Sequence, residues 1–325
     1  MTMSSQNCKN LCKKIHDSKG QLNHLAQALA AKTQADCQEI RRTYMEMYGK
    51  GLHQLLKSIQ LTNQGDESGA LSYECATALS MLMHSSHERD AVVAREALEQ
   101  SEVNFKAVIE IFLGRKSSHV ILILQAYQTR FSRKLEQDIS SIEPPHPYQM
   151  ILRALASSHK AHHAVVSEHI GRCDARRLYQ TGEGRPGAID EAVVLEILSK
   201  RSVAQLSVTF SSYKHIYGHS YTKSLKKGNH GQFEEALKVV VSFISNPLKY
   251  YAKTLYRSIK DTTMEKGSLA RVMVSRAEVD MNEIQMVFKK KYGMELRDAI
   301  CESIPSGGAC REFVVALATK TTTSS

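Results

Sequence analysis

Four segments of this 325-residue chain align without gaps. Each places a basic residue first, an aromatic 12 residues later and a second aromatic 16 residues after the base. The sets are Lys32, Tyr44, Tyr48; Arg115, Tyr127, Phe131; Arg201, Tyr213, Tyr217; and Arg276, Phe288, Tyr292. A fourfold recurrence at fixed spacing marks a repeat architecture, in which each module buries its apolar face against its neighbours. Inside each segment apolar residues return at helical intervals, as in Leu206, Phe210, Tyr213 and Tyr217, so each carries an amphipathic helix with an aromatic stripe. Periodic runs flank it, such as Val193, Val194, Ile197 and Leu198 before one and Leu52, Leu55 and Leu56 after another. Successive bases lie 83, 86 and 75 residues apart, room for about five short helices per repeat, and the expected fold is all-α.

Composition agrees. Six prolines, 17 glycines and no tryptophan leave little material for turn-rich β architecture. Seven cysteines without a CxxC pair read as reduced thiols of a cytoplasmic protein. The opening MTMSSQNCKNLCKK has no apolar core of a signal peptide, and apolar runs such as Val120 to Leu124 fall far short of the roughly 20 residues a membrane span needs. Membrane contact is therefore expected to be peripheral, with no transmembrane insertion. The 43 Lys and Arg against 33 Asp and Glu give a net charge of +10, which suits an anionic partner: lipid headgroups, RNA, DNA or an acidic protein such as actin.

The stretch RVMVSRAEVDMNEIQMVFKKKYGMELRDAI (Arg271 to Ile300) resembles the fourth repeat of an annexin. HERDAVVAREAL (His87 to Leu98) and EILSKRSVAQL (Glu196 to Leu206) resemble the second and third repeats of plant annexins. The likeness covers residues 8 to 320. It implies four annexin repeats of about five helices each forming a curved disc: repeat 1 at 8–77, repeat 2 at 78–158, a connector and repeat 3 at 159–247, and repeat 4 at 248–320. It further implies calcium-dependent binding of acidic phospholipid and no enzymatic activity. In the family's usual site, carbonyls of a glycine-rich loop between the first two helices and a carboxylate about 40 residues later surround Ca²⁺, a cation that takes six to eight oxygens.

The residues at those positions argue against such sites. In repeat 1 the loop offers Asp17, Ser18, Lys19 and Gly20, and the acid position is Ile59. In repeat 2 the loop around Leu98 to Asn104 has no glycine, and the acid position falls near Ile142. Repeat 3 keeps Gly182, Gly184 and Gly187 but has Gly228 where the acid belongs; repeat 4 has Asp261 and Thr263 in place of loop glycines, with Ser303 at the acid position beside Glu302. Gly182, Gly184, Gly187, Asp261, Thr263 and Glu302 are thus calcium remnants, and Glu183 and Glu265 are loop acids outside the usual pattern. Calcium binding is expected to be weakened or lost. Lys19, Arg185, Lys260 and Lys266 could then hold acidic lipid directly, at about 1 kcal/mol per cation near the membrane; the plain alternative is solvated surface charge. The other reading of function is a soluble interaction scaffold or RNA-associated protein that no longer binds lipid.

The resemblance also implies a polar passage lined by Asp90, Glu110, Arg115 and Arg276, read here as a network of buried opposite charges that stay ionised by pairing. Other local patterns point to less. His159, His162, His163 and His169 have helical spacing but no completing acid or cysteine. TGEGRPG is followed by Ala188 and Ile189, where a phosphate-binding P-loop needs Lys then Ser or Thr. Ala31 stands where plant annexins have a peroxidase-associated histidine. Cys8 and Cys12, one helical turn apart, are expected to be inert thiols.

Overall fold

A computed structural model describes residues 3–18, 21–30, 32–52, 54–56, 67–158, 165–187, 189–225, 231–260, 267–277, 279–303 and 309–319, with side chains given for most of them. Among these, regular structure is helical throughout. The first repeat contains α1 (Ser5–Asp17), α2 (Leu22–Leu29), α3 (Gln34–Tyr48) and α4 (Glu67–Leu82). The second contains α5 (Ser86–Glu99), α6 (Phe105–Gly114), α7 (Ser117–Phe131), α8 (Leu135–Ser140) and α9 (Pro147–Ser158). Next come α10 (Glu168–Gln180), α11 (Glu191–Lys200), α12 (Val203–Tyr217), α13 (Tyr221–Ser224) and α14 (Gln232–Ser245). The last five are α15 (Pro247–Lys260), α16 (Ser268–Arg276), α17 (Met281–Tyr292), α18 (Leu296–Ser303) and α19 (Ala309–Thr319). Helix α4 runs across the expected 77/78 boundary, because Cys75 to Leu82 is an unbroken run of helix formers and small residues, and the polar stop comes only at His84 and Ser85.

The third helix of each repeat explains the recurring spacing. Helix α3 starts with a capping box in which Thr33 Oγ1 accepts the Asp36 N–H at 3.1 Å while Asp36 Oδ2 accepts the Thr33 N–H at 3.2 Å. One residue after the second aromatic, α3, α12 and α17 end at Gly49, Gly218 and Gly293, with φ of 65°, 74° and 73°. This left-handed conformation closes a helix at little cost only for glycine. Helix α7 ends instead at Ser132 with φ 54°.

The first aromatic of each set is core: Tyr44, Tyr127, Tyr213 and Phe288 are all buried. The second stacks on a group from the repeat's first helix. His16 lies on Tyr48 with centroids 3.8 Å apart, Tyr179 on Tyr217 at 4.0 Å and Tyr256 on Tyr292 at 3.8 Å, all within 8° of parallel. In the second repeat the Arg95 guanidinium takes that place, 5.9 Å from the Phe131 centroid. The cysteines of α1 are buried with the core: Cys8 Sγ donates to Thr43 Oγ1 at 3.3 Å, and burial pushes the Cys12 thiol up to about 12.

Two compact units result, one of residues 1–89 with 248–325 and one of residues 90–247. In the first, Glu74 of α4 reaches the start of α16, accepting the N–H groups of Gly267 and Ala270 at 2.7 Å each. A carboxylate there satisfies two donors that a helix start leaves open and meets the positive end of its dipole. In the second, α10 packs on α12 and α9 packs on α11 and α14.

Candidate calcium and membrane site

The glycine-bearing loop of the third repeat joins α10 to α11. Its backbone is folded on itself: the N–H groups of Gly182 and Gly184 donate to Tyr179 O at 3.2 and 2.8 Å, Arg185 N–H donates to Gly182 O at 3.1 Å, and Asp190 N–H donates to Thr181 O at 2.9 Å. Gly184 lies against the Tyr179 ring and carbonyl, with no room for a side chain. Gly187, at φ 99°, is exposed and open on all sides. The carbonyls of Thr181 and Gly182 each accept a backbone N–H within the loop.

The loop's carboxylate is spent as well. Glu183 Oε2 accepts from Tyr213 Oη at 3.0 Å and from His219 Nε2 at 2.7 Å, turned toward the repeat's interior. Burial raises the Tyr213 phenol far above its ordinary range, with Ser224 pulling the other way and Glu183 adding to the rise, so it stays a donor to that carboxylate. Arg185, by contrast, is exposed and has no carboxylate partner among the described residues.

In the fourth repeat Glu302 is exposed and pairs with Lys260, Nζ to Oε2 3.4 Å. The remnant acid and the basic residue assigned to the membrane therefore offset each other, in a contact worth at most about 1 kcal/mol. Asp261, Thr263 and Lys266 lie outside the described residues, as do Lys19, Gly20, Ile59, Gly228 and Glu265. Of the acids near the glycine-bearing loop and the fourth-repeat acid position, Glu183 and Glu302 are engaged with other side chains, and Arg185 stands among the loop glycines. No group of His, Cys, Asp and Glu among the described residues is arranged to hold a metal ion. His169 of the histidine group lies 3.7 Å from Cys173 Sγ on α10, and His159, His162 and His163 are outside the described residues.

The four residues assigned to the polar passage are buried or nearly so, and three have defined roles. Arg115 forks onto Asp90, Nε to Oδ2 2.5 Å and Nη2 to Oδ1 3.2 Å, with His119 Nε2 3.6 Å from Oδ2. Glu110 is buried on α6 in the same unit. Arg276, in the other unit, forks onto Asp280 at 2.7 and 2.5 Å and lies 4.9 Å over the Tyr251 ring.

The third repeat repeats the fork, which the sequence reading missed. Arg201 Nε donates to Asp174 Oδ2 at 2.7 Å and Nη2 to Oδ1 at 3.1 Å. The signal was available: Asp90 and Asp174 both sit on the first helix of their repeats, ahead of the recurring base. Also unforeseen is the cluster at Asp138, which accepts from Arg95 Nη1 at 2.9 Å, Arg133 Nε at 2.7 Å and Tyr127 Oη at 2.6 Å. Burial alone would raise this carboxyl, yet the bonds from Arg133 and Tyr127 and the nearby guanidinium charges bring it below the ordinary range.

No helix among the described residues is long and apolar enough to cross a membrane. The Annexin family model matches residues 89–142, 173–240 and 250–317. The chain is 34% identical to human annexin A3 over 276 residues, 85% of this chain and 81% of that protein. It is 30% identical to mouse annexin A13 over 293 residues, 90% of this chain and 88% of that protein. The solved structure of annexin III superposes with a TM-score of 0.81 at 30% identity, covering 98% of this chain and 95% of that one.

Proposed function

The chain belongs to the annexin family, non-enzymatic proteins that bind calcium and acidic phospholipid membranes, and from that premise we propose that it binds acidic phospholipid surfaces peripherally from the cytoplasm with the calcium bridge weakened or lost. One observation carries the reading. The loop acid Glu183 and the helical acid Glu302 are committed to Tyr213 with His219 and to Lys260, while Arg185 is exposed on the loop that family membership turns toward the lipid. A guanidinium there attracts phosphate without calcium, adding about 1 kcal/mol that salt screens. Lys19, Lys260 and Lys266 belong to the same set of loop cations. Asp90, Glu110, Arg115 and Arg276 serve structure: the forks that hold the two arginines favour fixed ion pairs over a conducting path.

Co-sedimentation with phosphatidylserine vesicles, with calcium or with chelator and at low and high salt, tests this. Pelleting that ignores calcium and is lost in high salt is the expected result, with Arg185→Gln weakening it about fivefold, the equivalent of one membrane-facing cation. Pelleting only with calcium overturns it. Failure to pellet under every condition turns the reading to a soluble scaffold, with RNA or actin as the anionic partner to try next.

A further inference from the structure

Of the helices that carry the recurring aromatics, α3, α12 and α17 end on glycine, and α7 ends on Ser132 at φ 54°. A side chain in that left-handed backbone carries a cost that glycine avoids. What the serine adds is a hydroxyl, and its setting differs from that of other serines at helix ends. Ser18 closes α1 and Ser141 closes α8, and each hydroxyl donates back to a carbonyl, Ile15 O at 2.7 Å and Asp138 O at 3.0 Å. The Ser132 hydroxyl has no such partner among the described residues, and Ser132 is exposed in the short connection between α7 and α8.

The flanking sequence is basic. Arg130 stands before Ser132, Arg133 and Lys134 follow it, and all three are exposed. Asp138 holds Arg133 at 2.7 Å, whereas Arg130 and Lys134 have no carboxylate partner among the described residues. An exposed hydroxyl outside a helix, with cations on both sides, complements a phosphoryl-transfer enzyme whose substrate cleft is acidic. We propose that Ser132 is a phosphorylation site for a basophilic serine kinase that reads Arg130, Arg133 and Lys134 as its flanking cations. The Ser132 oxygen attacks the γ-phosphorus of the kinase's ATP, the bond from that phosphorus to the bridging oxygen breaks, ADP leaves, and the hydroxyl proton passes to the kinase's base. The product carries a charge of about −2 at the C-terminal end of α7, the negative end of a helix dipole. Its oxygens compete with Asp138 for Arg133, and modification thereby loosens the cluster through which Asp138 of α8 holds Arg95 of α5 and Tyr127 of α7. The inference is independent of lipid binding, since it stands on the backbone and charge of the second repeat.

The test incubates the folded full-length chain with MgATP and a basophilic serine kinase and maps phosphopeptides by mass spectrometry. Phosphate on Ser132 is the expected result. Ser132→Gly, which places there the residue that closes the other three helices, removes it. Arg130→Gln combined with Lys134→Gln slows transfer about tenfold, the factor two exposed ion pairs supply, and Arg153→Gln, at an exposed position of α9, leaves the rate unchanged. The phosphorylated chain unfolds at lower urea than the unmodified one, and the difference narrows in Arg133→Gln, where Asp138 has no guanidinium at that position to lose. Phosphate placed only on other residues, transfer that ignores Arg130 and Lys134, or an equal shift in urea midpoint with and without Arg133 overturns the inference.

Discussion

The second and third repeats hold the same arginine in the same way across different loops, both ion pairs lying inside the contiguous unit. Arg115 meets an aspartate 25 residues earlier and Arg201 one 27 residues earlier, yet the forks are alike. The intervening loop is short and free of glycine in one, and longer with three glycines in the other. The frame that sets the ion pair is therefore the packing of helices, and the loop is a passenger whose length and chemistry can change without moving it. A fold of this kind can lose a ligand site while keeping everything beneath it.

Breaking the forks should have the largest effect. Asp90→Ala and Asp174→Ala each leave an arginine without its anion, at a cost of about 3 kcal/mol in urea unfolding of the full chain, where loss of one partner of a buried pair costs 3–5 kcal/mol. The loss should be greater for Asp90, because Arg115 is 12% exposed and Arg201 29%. Equal and negligible losses would show that the forks are incidental to the frame.

The Asp138 cluster sharpens the contrast, since the third repeat meets its buried tyrosine with a loop acid instead. A carboxyl held below its unfolded value stabilises the fold above that value, near 3.9, and the contribution fades as pH falls through the lower folded one. Asp138→Asn should thus cost about 2 kcal/mol at pH 7, and the gap to the native chain should close below about pH 4. A gap that widens in acid would contradict the lowered carboxyl.

The smallest effect concerns Ser132, which adopts the left-handed backbone that glycine supplies at the equivalent position of the other three repeats. Ser132→Gly should stabilise by about 0.5–1 kcal/mol and Gly218→Ser should destabilise by a similar amount, read as opposite shifts in thermal midpoint.

These comparisons also show what could be read from residues alone. The gapless stretch from base to second aromatic is a single helix and its approach, so its spacing is rigid and visible in sequence. The partners of those residues, Asp174 for Arg201 and Tyr179 for Tyr217, lie across a loop of variable length, so no fixed interval marks them and only their place on the repeat's first helix points to them. The residues at the family's carboxylate positions are legible because they are identities: Ile59 and Gly228 cannot become carboxylates by folding. The inward turn of Glu183 was not, because it depends on His219 and Tyr213 converging from another part of the repeat.

The contact from Glu74 to the start of α16 spans 193 residues and then 196, and it belongs to a unit assembled from both ends of the chain. On the ribosome this sets an order of events. The first helices emerge early but their long-range partners come last, and closing so distant a loop carries an entropy cost that grows with the logarithm of its length. Residues 90–247 have their own unit's contacts to hand once Pro247 has left the exit tunnel. The middle of the chain is thus placed to mature first, and the N-terminal quarter lacks its unit's distant contacts until the last repeat arrives to complete it.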